Sequence, residues 1–407
     1  MIDIKDIKKY FPWFKNNPEY VYMDSGATTL KPQPVIDAIV NYYTKQGTNP
    51  HNTDSEFANR VAKDVEEARK TIASFIHADK DEIAFNSGAT EALNLVANGL
   101  KDHLNDGDEI LLTYAEHASN ILPWMNIISE IKKDVKIKYA GAKFTTLTAD
   151  DLINSVTDKT KIVAFSIGHN LTGQHLDDNY TCQKIKEKNP NAFIVIDATQ
   201  SIQHYPINVK ENNCDFLVCS GHKILGPTGI GLVYIKKSIQ PVIKPLRFGG
   251  GMNLSIEETN FEEFESIAKY EGGTQNIAGI LGWAAAIKFF LEIGFDQIQA
   301  YELELANYAR EKLGQLKNII IYNQDAKSTT LAFNYEGVFC QDLASYLGNK
   351  KIIVRAGLSC AKLYCNLIDT KALVRASMYI YNTKEDIDYL YEVLKNFKKG
   401  DELNDLV

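Results

Sequence analysis

Between about residues 83 and 235 the chain repeats one arrangement. A short β-branched or apolar run is followed by a turn rich in Gly, Ser and Asn, then by a longer stretch with apolar residues at helical spacing. The runs fall at 83–85, 109–113, 135–139, 162–166, 193–197, 216–219 and 232–235. Long crossovers join parallel neighbours, so the pattern predicts an α/β fold with a seven-stranded, mainly parallel sheet covered by helices on both faces. Ligands of such sheets bind beyond the carboxyl ends of the strands, which makes the polar residues after each run the first candidates for chemistry.

From about Leu281 the pattern changes to a long helical stretch, and strands are predicted at 330–334, 352–355 and 374–379. A closing helix opens at Thr383 and carries Ile387, Leu390, Tyr391, Leu394 and Phe397 on one face. This reads as a smaller α+β domain. At 407 residues and 45% hydrophobic, the chain is long enough for two cores, because single cores stop growing near roughly 250–300 residues. The expected division is an N-terminal segment at 1–15 that folds back onto the small domain, a large domain at 16–280 that holds the ligand, and the small domain at 281–407. The acidic tail at 401–407 is expected to lack fixed structure.

The net charge of -8 is spread along the chain without a Lys/Arg block, so neither a nucleic acid nor a membrane surface is expected as partner. No apolar run approaches the roughly 18 residues that span a bilayer. The start of the chain has no hydrophobic leader, and a cytoplasmic location is expected. Six cysteines at irregular spacing suit a reducing compartment. None forms a C-x-x-C pair and no His cluster accompanies them, so no metal site is expected.

The most specific segment is a strand that delivers Ser220-Gly221-His222-Lys223 into a glycine-rich loop, Gly226-Pro227-Thr228-Gly229-Ile230-Gly231. A lysine held there can form a Schiff base with an aldehyde, and Ser220 and His222 can direct donors at a phosphate. A Ser-x-His-Lys alone would be an ordinary surface turn; the strand before it and the turn glycines after it change that weighing. The segment resembles the class V aminotransferase group of fold-type I pyridoxal-phosphate enzymes. The resemblance implies pyridoxal 5'-phosphate as cofactor, with Lys223 as its anchor.

Other positions match the family one by one. Asp197, at the end of a predicted strand, matches the aspartate that keeps the pyridine nitrogen protonated, and Gln200 matches the residue that bonds the ring's phenolic oxygen. Taken alone, Asp197 would be a helix N-cap. The turn Asn86-Ser87-Gly88-Ala89-Thr90 opens a helix whose free N–H groups suit a phosphate, and the resemblance assigns the Ala89 amide and Thr90 to it. His117 matches the histidine that stacks on the ring and moves protons, and Asn170 the asparagine near the ring and the substrate carboxylate. Thr274, in Gly272-Gly273-Thr274-Gln275-Asn276, matches a loop that reaches the neighbouring subunit's phosphate, which implies a homodimer with shared active sites.

Glu116-His117, Asn120 and Pro123-Trp124 resemble the SUF-type (group II) cysteine desulfurases, and so does Arg355-Ala356-Gly357-Leu358-Ser359-Cys360-Ala361. This resemblance covers nearly the whole chain. It implies that L-cysteine is converted to L-alanine, with Cys360 taking the sulfur as a persulfide, for use such as iron–sulfur cluster assembly through an acceptor protein of the SUF type. Arg375 matches the arginine that grips the substrate carboxylate, with Arg355 joining the substrate-binding set. Departures stand at Ala89, Ala118, Leu358 and Ser359, and at His51-Asn52-Thr53-Asp54-Ser55, where those relatives carry other residues. A selenocysteine lyase or cysteine-sulfinate desulfinase is the nearest rival. A catalytically degenerate protein that binds a scaffold is the rival of another class.

Overall fold

The computed structural model describes residues 2–50, 54–142 and 146–401. Each of the seven runs becomes a strand of one sheet: β1 (Ile83–Asn86), β2 (Glu109–Thr113), β3 (Lys136–Ala140), β4 (Thr160–Ser166), β5 (Phe193–Asp197), β6 (Phe216–Ser220) and β7 (Gly231–Ile235). Their order across the sheet is β1-β7-β6-β5-β4-β2-β3. Every neighbouring pair is parallel except those made by β7, which runs against both β1 and β6. The reversal follows from the loop at 221–230, which is too short for a crossover and can only turn β7 back beside β6.

The seven-stranded, mainly parallel sheet is the α/β architecture expected. Strands β6 and β7 are buried along their whole length, as sheets covered on both faces require. The edge strand β3 alternates, with Lys136 and Lys138 on its outer side, a pattern that protects an edge from pairing with other chains. The helix Ile277–Ile293 is apolar nearly all round and buries Trp283 and Phe290; no single helix among the described residues is long and apolar enough to cross a membrane.

The smaller sheet runs Ile319–Ile321, Thr330–Tyr335, Leu373–Ser377, Arg355–Gly357, all antiparallel. Its core contains Leu305, Phe333, Leu343, Val374 and Leu390. Here the structure differs from the single strand expected at 352–355. Ile352–Ile353 pairs in parallel with Val21–Tyr22, and the chain then changes partner so that Arg355–Gly357 joins the small sheet. An apolar run signals a strand but not which neighbour each end takes.

Val21–Tyr22 lies in the stretch expected to belong to the large domain, yet it borders the small one, and Met23 is part of the small domain's core. At the N-terminus Ile7 and Phe11 are buried. Phe11 meets Phe289 and Tyr381 edge-on, and Lys8 pairs with Asp386 of the closing helix Lys384–Asn396 at 3.1 Å. Residues 51–53 of the expected entrance segment and 402–407 of the acidic tail lie outside the described residues.

Candidate active site

A cavity of about 280 Å³ opens where β2, β4, β5 and β6 end. Strand polarity explains the convergence: parallel strands deliver the residues that follow them to one edge of the sheet. β6 ends at Ser220 and hands the chain to His222 and Lys223, β5 ends at Asp197 shortly before Gln200, and the turn after β2 carries His117. The turn after β1 supplies Ala89 and Thr90, and the loop after β4 supplies Asn170. The small domain closes the space with Arg355, Cys360 and Arg375. Thr274 does not line this cavity; it is exposed on a loop before the helix Ile277–Ile293.

Burial governs the electrostatics. It pushes Lys223 down to about 7, with the positive charges of Arg375 and Arg355 adding to the effect against the pull of Asp24 and Asp197. Its ammonium lies against the Gly26 carbonyl. His222 is pushed down to about 4, mainly by burial and then by Lys223 and Lys31, so its ring is neutral near pH 7. His117 is also lowered, first by burial. The Ser119 N–H donates to His117 Nδ1 at 3.1 Å, which leaves Nε2 to carry the proton of the neutral ring.

Arg355 and Arg375 are direct cross-strand partners, which sets two like charges on one face of the sheet. Such a pair is unfavourable by itself and favours an anion. Asp24 meets part of that need, accepting from Arg375 Nη2 at 2.9 Å, while Arg375 Nη1 donates to the Asn170 carbonyl at 2.9 Å. Arg375 Nε is buried with no partner among the described residues. A carboxylate is the anion such planar donors match best.

The donor set also fits a phosphate-bearing cofactor. Helix Ala89–Leu100 begins at the cavity, its N-cap Gly88 has no side chain to close that end, and Ser220 Oγ accepts from the Ala89 N–H at 2.8 Å. His222 Nδ1 and Thr199 Oγ1 line or border the space without a partner among the described residues. Gln200 Nε2 is engaged by the Gly26 carbonyl at 2.9 Å, and the Thr90 hydroxyl meets Ser119 Oγ at 2.7 Å. These hydroxyls and amides can exchange these partners for a ligand's oxygens.

The sequence reading missed the loop after Val21–Tyr22. Asp24 and Gly26 touch Arg375, Lys223 and Gln200, although the only signal in the sequence is an Asp-Ser-Gly turn after a short apolar run. Glu116 entered that reading only as part of the pattern around His117 and was given no task. This fully buried carboxyl accepts from Thr113 and Asn120 side chains and from both Ser166 donors, and burial outweighs those bonds, raising it to about 7. It ties the His117 turn to the end of β4.

The profile of the aminotransferase class-V family matches residues 21–390. The chain belongs to that family. The family match spans both sheets and every cavity-lining segment described above. Among its relatives, a probable cysteine desulfurase of Ureaplasma parvum serovar 3 is 50% identical over 404 residues, covering 99% of this chain and 100% of that one. A probable cysteine desulfurase of Mycoplasma genitalium is 37% identical, covering 98% and 97%. The apo structure of a cysteine desulfurase from Thermococcus onnurineus NA1 superposes with a TM-score of 0.92 at 32% identity, covering 98% of this chain and 99% of that one. The cysteine desulfurase CsdA of Escherichia coli, in an S-sulfonic acid form, gives a TM-score of 0.90 at 28% identity with both chains fully covered.

Proposed function

We propose that this class-V aminotransferase family member is a cysteine desulfurase that moves the sulfur of L-cysteine onto Cys360 as a persulfide and releases L-alanine. The observation that carries the reading is that Cys360, the exposed one among six cysteines, lines the same cavity as Lys223 and Arg375. In an ordinary aminotransferase an exposed thiol facing the reacting atoms has no task.

The chemistry balances on these residues. Arg375, with Arg355 beside it, takes the substrate carboxylate and fixes the amino acid in the cavity. Pyridoxal 5'-phosphate, when bound, supplies an electron sink for the charge left at Cα. Lys223 anchors it and, with its amine pushed down to about 7 and so partly neutral at that pH, accepts the Cα proton. Ser220, His222, Thr90 and the Ala89 amide are the donors for its phosphate, and Asp197 is the anion for its ring nitrogen. The Cys360 thiolate forms a bond to the substrate sulfur, the C–S bond breaks, and its electron pair stays on carbon, which takes a proton to become the alanine methyl. His117 Nε2 is the group that holds or moves the proton at sulfur.

The same reading assigns the working enzyme to a cytoplasmic homodimer in which Thr274 of one copy completes the phosphate site of the other. Its exposure outside its own cavity supports that role. The persulfide passes to an acceptor protein of the SUF type, with iron–sulfur cluster assembly as the use of the sulfur.

The test is sulfide and alanine release from L-cysteine with a thiol reductant, with the cofactor's absorbance recorded alongside. Equal amounts of both products are expected from the purified protein, and neither from Lys223→Ala or Cys360→Ala, with Cys360→Ala keeping its yellow colour. Undiminished sulfide from Cys360→Ala would remove Cys360 from the reaction and favour a lyase.

A further inference from the structure

Ser359 and Cys360 stand one after the other in the left-handed region, at φ 45° and 58°. Neither is glycine, and residues with a Cβ hold this backbone only where their surroundings fix it. Both carbonyls of the pair are held by the large domain. Asn170 Nδ2 donates to the Ser359 carbonyl at 2.6 Å, and the Ala118 N–H donates to the Cys360 carbonyl at 2.9 Å. Within the turn, the Ala361 N–H donates to the Leu358 carbonyl at 2.8 Å.

Asn170 is buried and faces two ways. Its side-chain amide holds the strained turn, while its own main-chain carbonyl accepts from Arg375 Nη1 at 2.9 Å. One residue therefore joins the guanidinium that takes a carboxylate to the turn that carries the thiol. The Ala118 contact reaches the same turn from the His117 side, so the thiol's backbone is clamped between two large-domain loops.

We propose that Asn170 is a positioning residue for Cys360: its amide N–H keeps the Ser359-Cys360 turn in the left-handed form and in register with Arg375. This goes beyond a contact with substrate, and it rests on the desulfurase reading only in naming Cys360 as the nucleophile. Removing the N–H releases the turn to conformers in which the thiol no longer faces the cavity, and the loss falls on the sulfur-transfer step and spares carboxylate capture.

The experiment uses the cofactor-loaded enzyme and reads amide hydrogen exchange at Ala118 and Ala361 in Asn170→Ala. Neither amide touches the Asn170 side chain, and each is protected only while the turn stays closed. Exchange at both is expected to rise on the order of fivefold, the population shift that one buried hydrogen bond provides. The kcat for L-cysteine is expected to fall at least as much, with KM moving less than twofold. Asn170→Leu keeps the size and removes the donor without adding a charge, so it gives the same result where Asn170→Ala folds poorly. Adding Ser359→Gly, which occupies the left-handed region without strain, returns exchange toward the wild-type rate. Unchanged exchange at Ala118 and Ala361, or an effect confined to KM, overturns the proposal. Exchange needs no turnover, so a protein that releases no sulfide sinks the functional reading and still leaves this one decided by its own readout.

Discussion

Lys223 is the residue whose state the environment alters most usefully. Burial and the neighbouring arginines lower it from 10.5 to about 7, so its amine is free to react at neutral pH. Combination of the cofactor-free protein with pyridoxal 5'-phosphate is therefore expected to accelerate as pH rises through about 7, and stopped-flow absorbance checks this. The sign for stability follows from the same shift. Between about pH 7 and 10.5 the unfolded chain holds a proton on Lys223 that the folded chain lacks, so stability rises with pH across that window. Denaturation of the cofactor-free protein is expected to show the wild type gaining on Lys223→Met from pH 7 to pH 10, a gain absent if the amine stays charged when folded. At this scale the sequence was legible where a residue type sat at or just after the end of a strand: Lys223, Asp197 and His117 meet in one cavity. Asp24 was not legible, because a carboxylate 351 positions along the chain from the guanidinium it accepts from carries no local sign of that partner.

Among the elements, the reversal of β7 decides how the turn before Ala89 is built. Gly231 starts β7 opposite Asn86, and a Cβ added there would lie 2.5 Å from Gly88 Cα and 2.6 Å from the Cys219 carbonyl. Both neighbours are backbone, so the turn before Ala89 and the end of β6 would have to move apart. Gly231→Ala is expected to cost about 1–3 kcal/mol of stability and to weaken retention of pyridoxal 5'-phosphate, read as a lower Tm and a larger cofactor dissociation constant. A variant as stable and as tightly loaded as the wild type would show that the turn yields freely. The seven strands of the large sheet were readable because each is a short apolar run bounded by turn residues. The run at 352–355 was readable as extended chain but not as two strands with different partners, since pairing depends on what lies alongside.

Across the whole molecule, the first residues of the chain brace the site from behind. Phe11 packs on Tyr381, whose hydroxyl is 2.7 Å from Ser25 Oγ and accepts from the Leu30 N–H at 3.1 Å. The loop so held carries Asp24 and Gly26 to Arg375 and Lys223. Phe11→Ala is expected to lower stability by about 3–5 kcal/mol, as deletion of a buried ring does, and to raise KM for L-cysteine by loosening the Asp24 side of the carboxylate site. Thermal unfolding and steady-state kinetics check both parts, and an unchanged KM would confine Phe11 to the core. The amino-acid order alone determined the α/β sheet, the lysine loop and the turn that opens a helix before Ala89, because strand periodicity, turn glycines and a helix start are local properties of a chain. Only the tertiary structure decided that Val21–Tyr22 borders the small domain, that Asp24 faces Arg375, and that Asn170 holds the turn of Cys360. These are contacts between distant segments, fixed by which faces must be buried together and by which buried donors must find an acceptor.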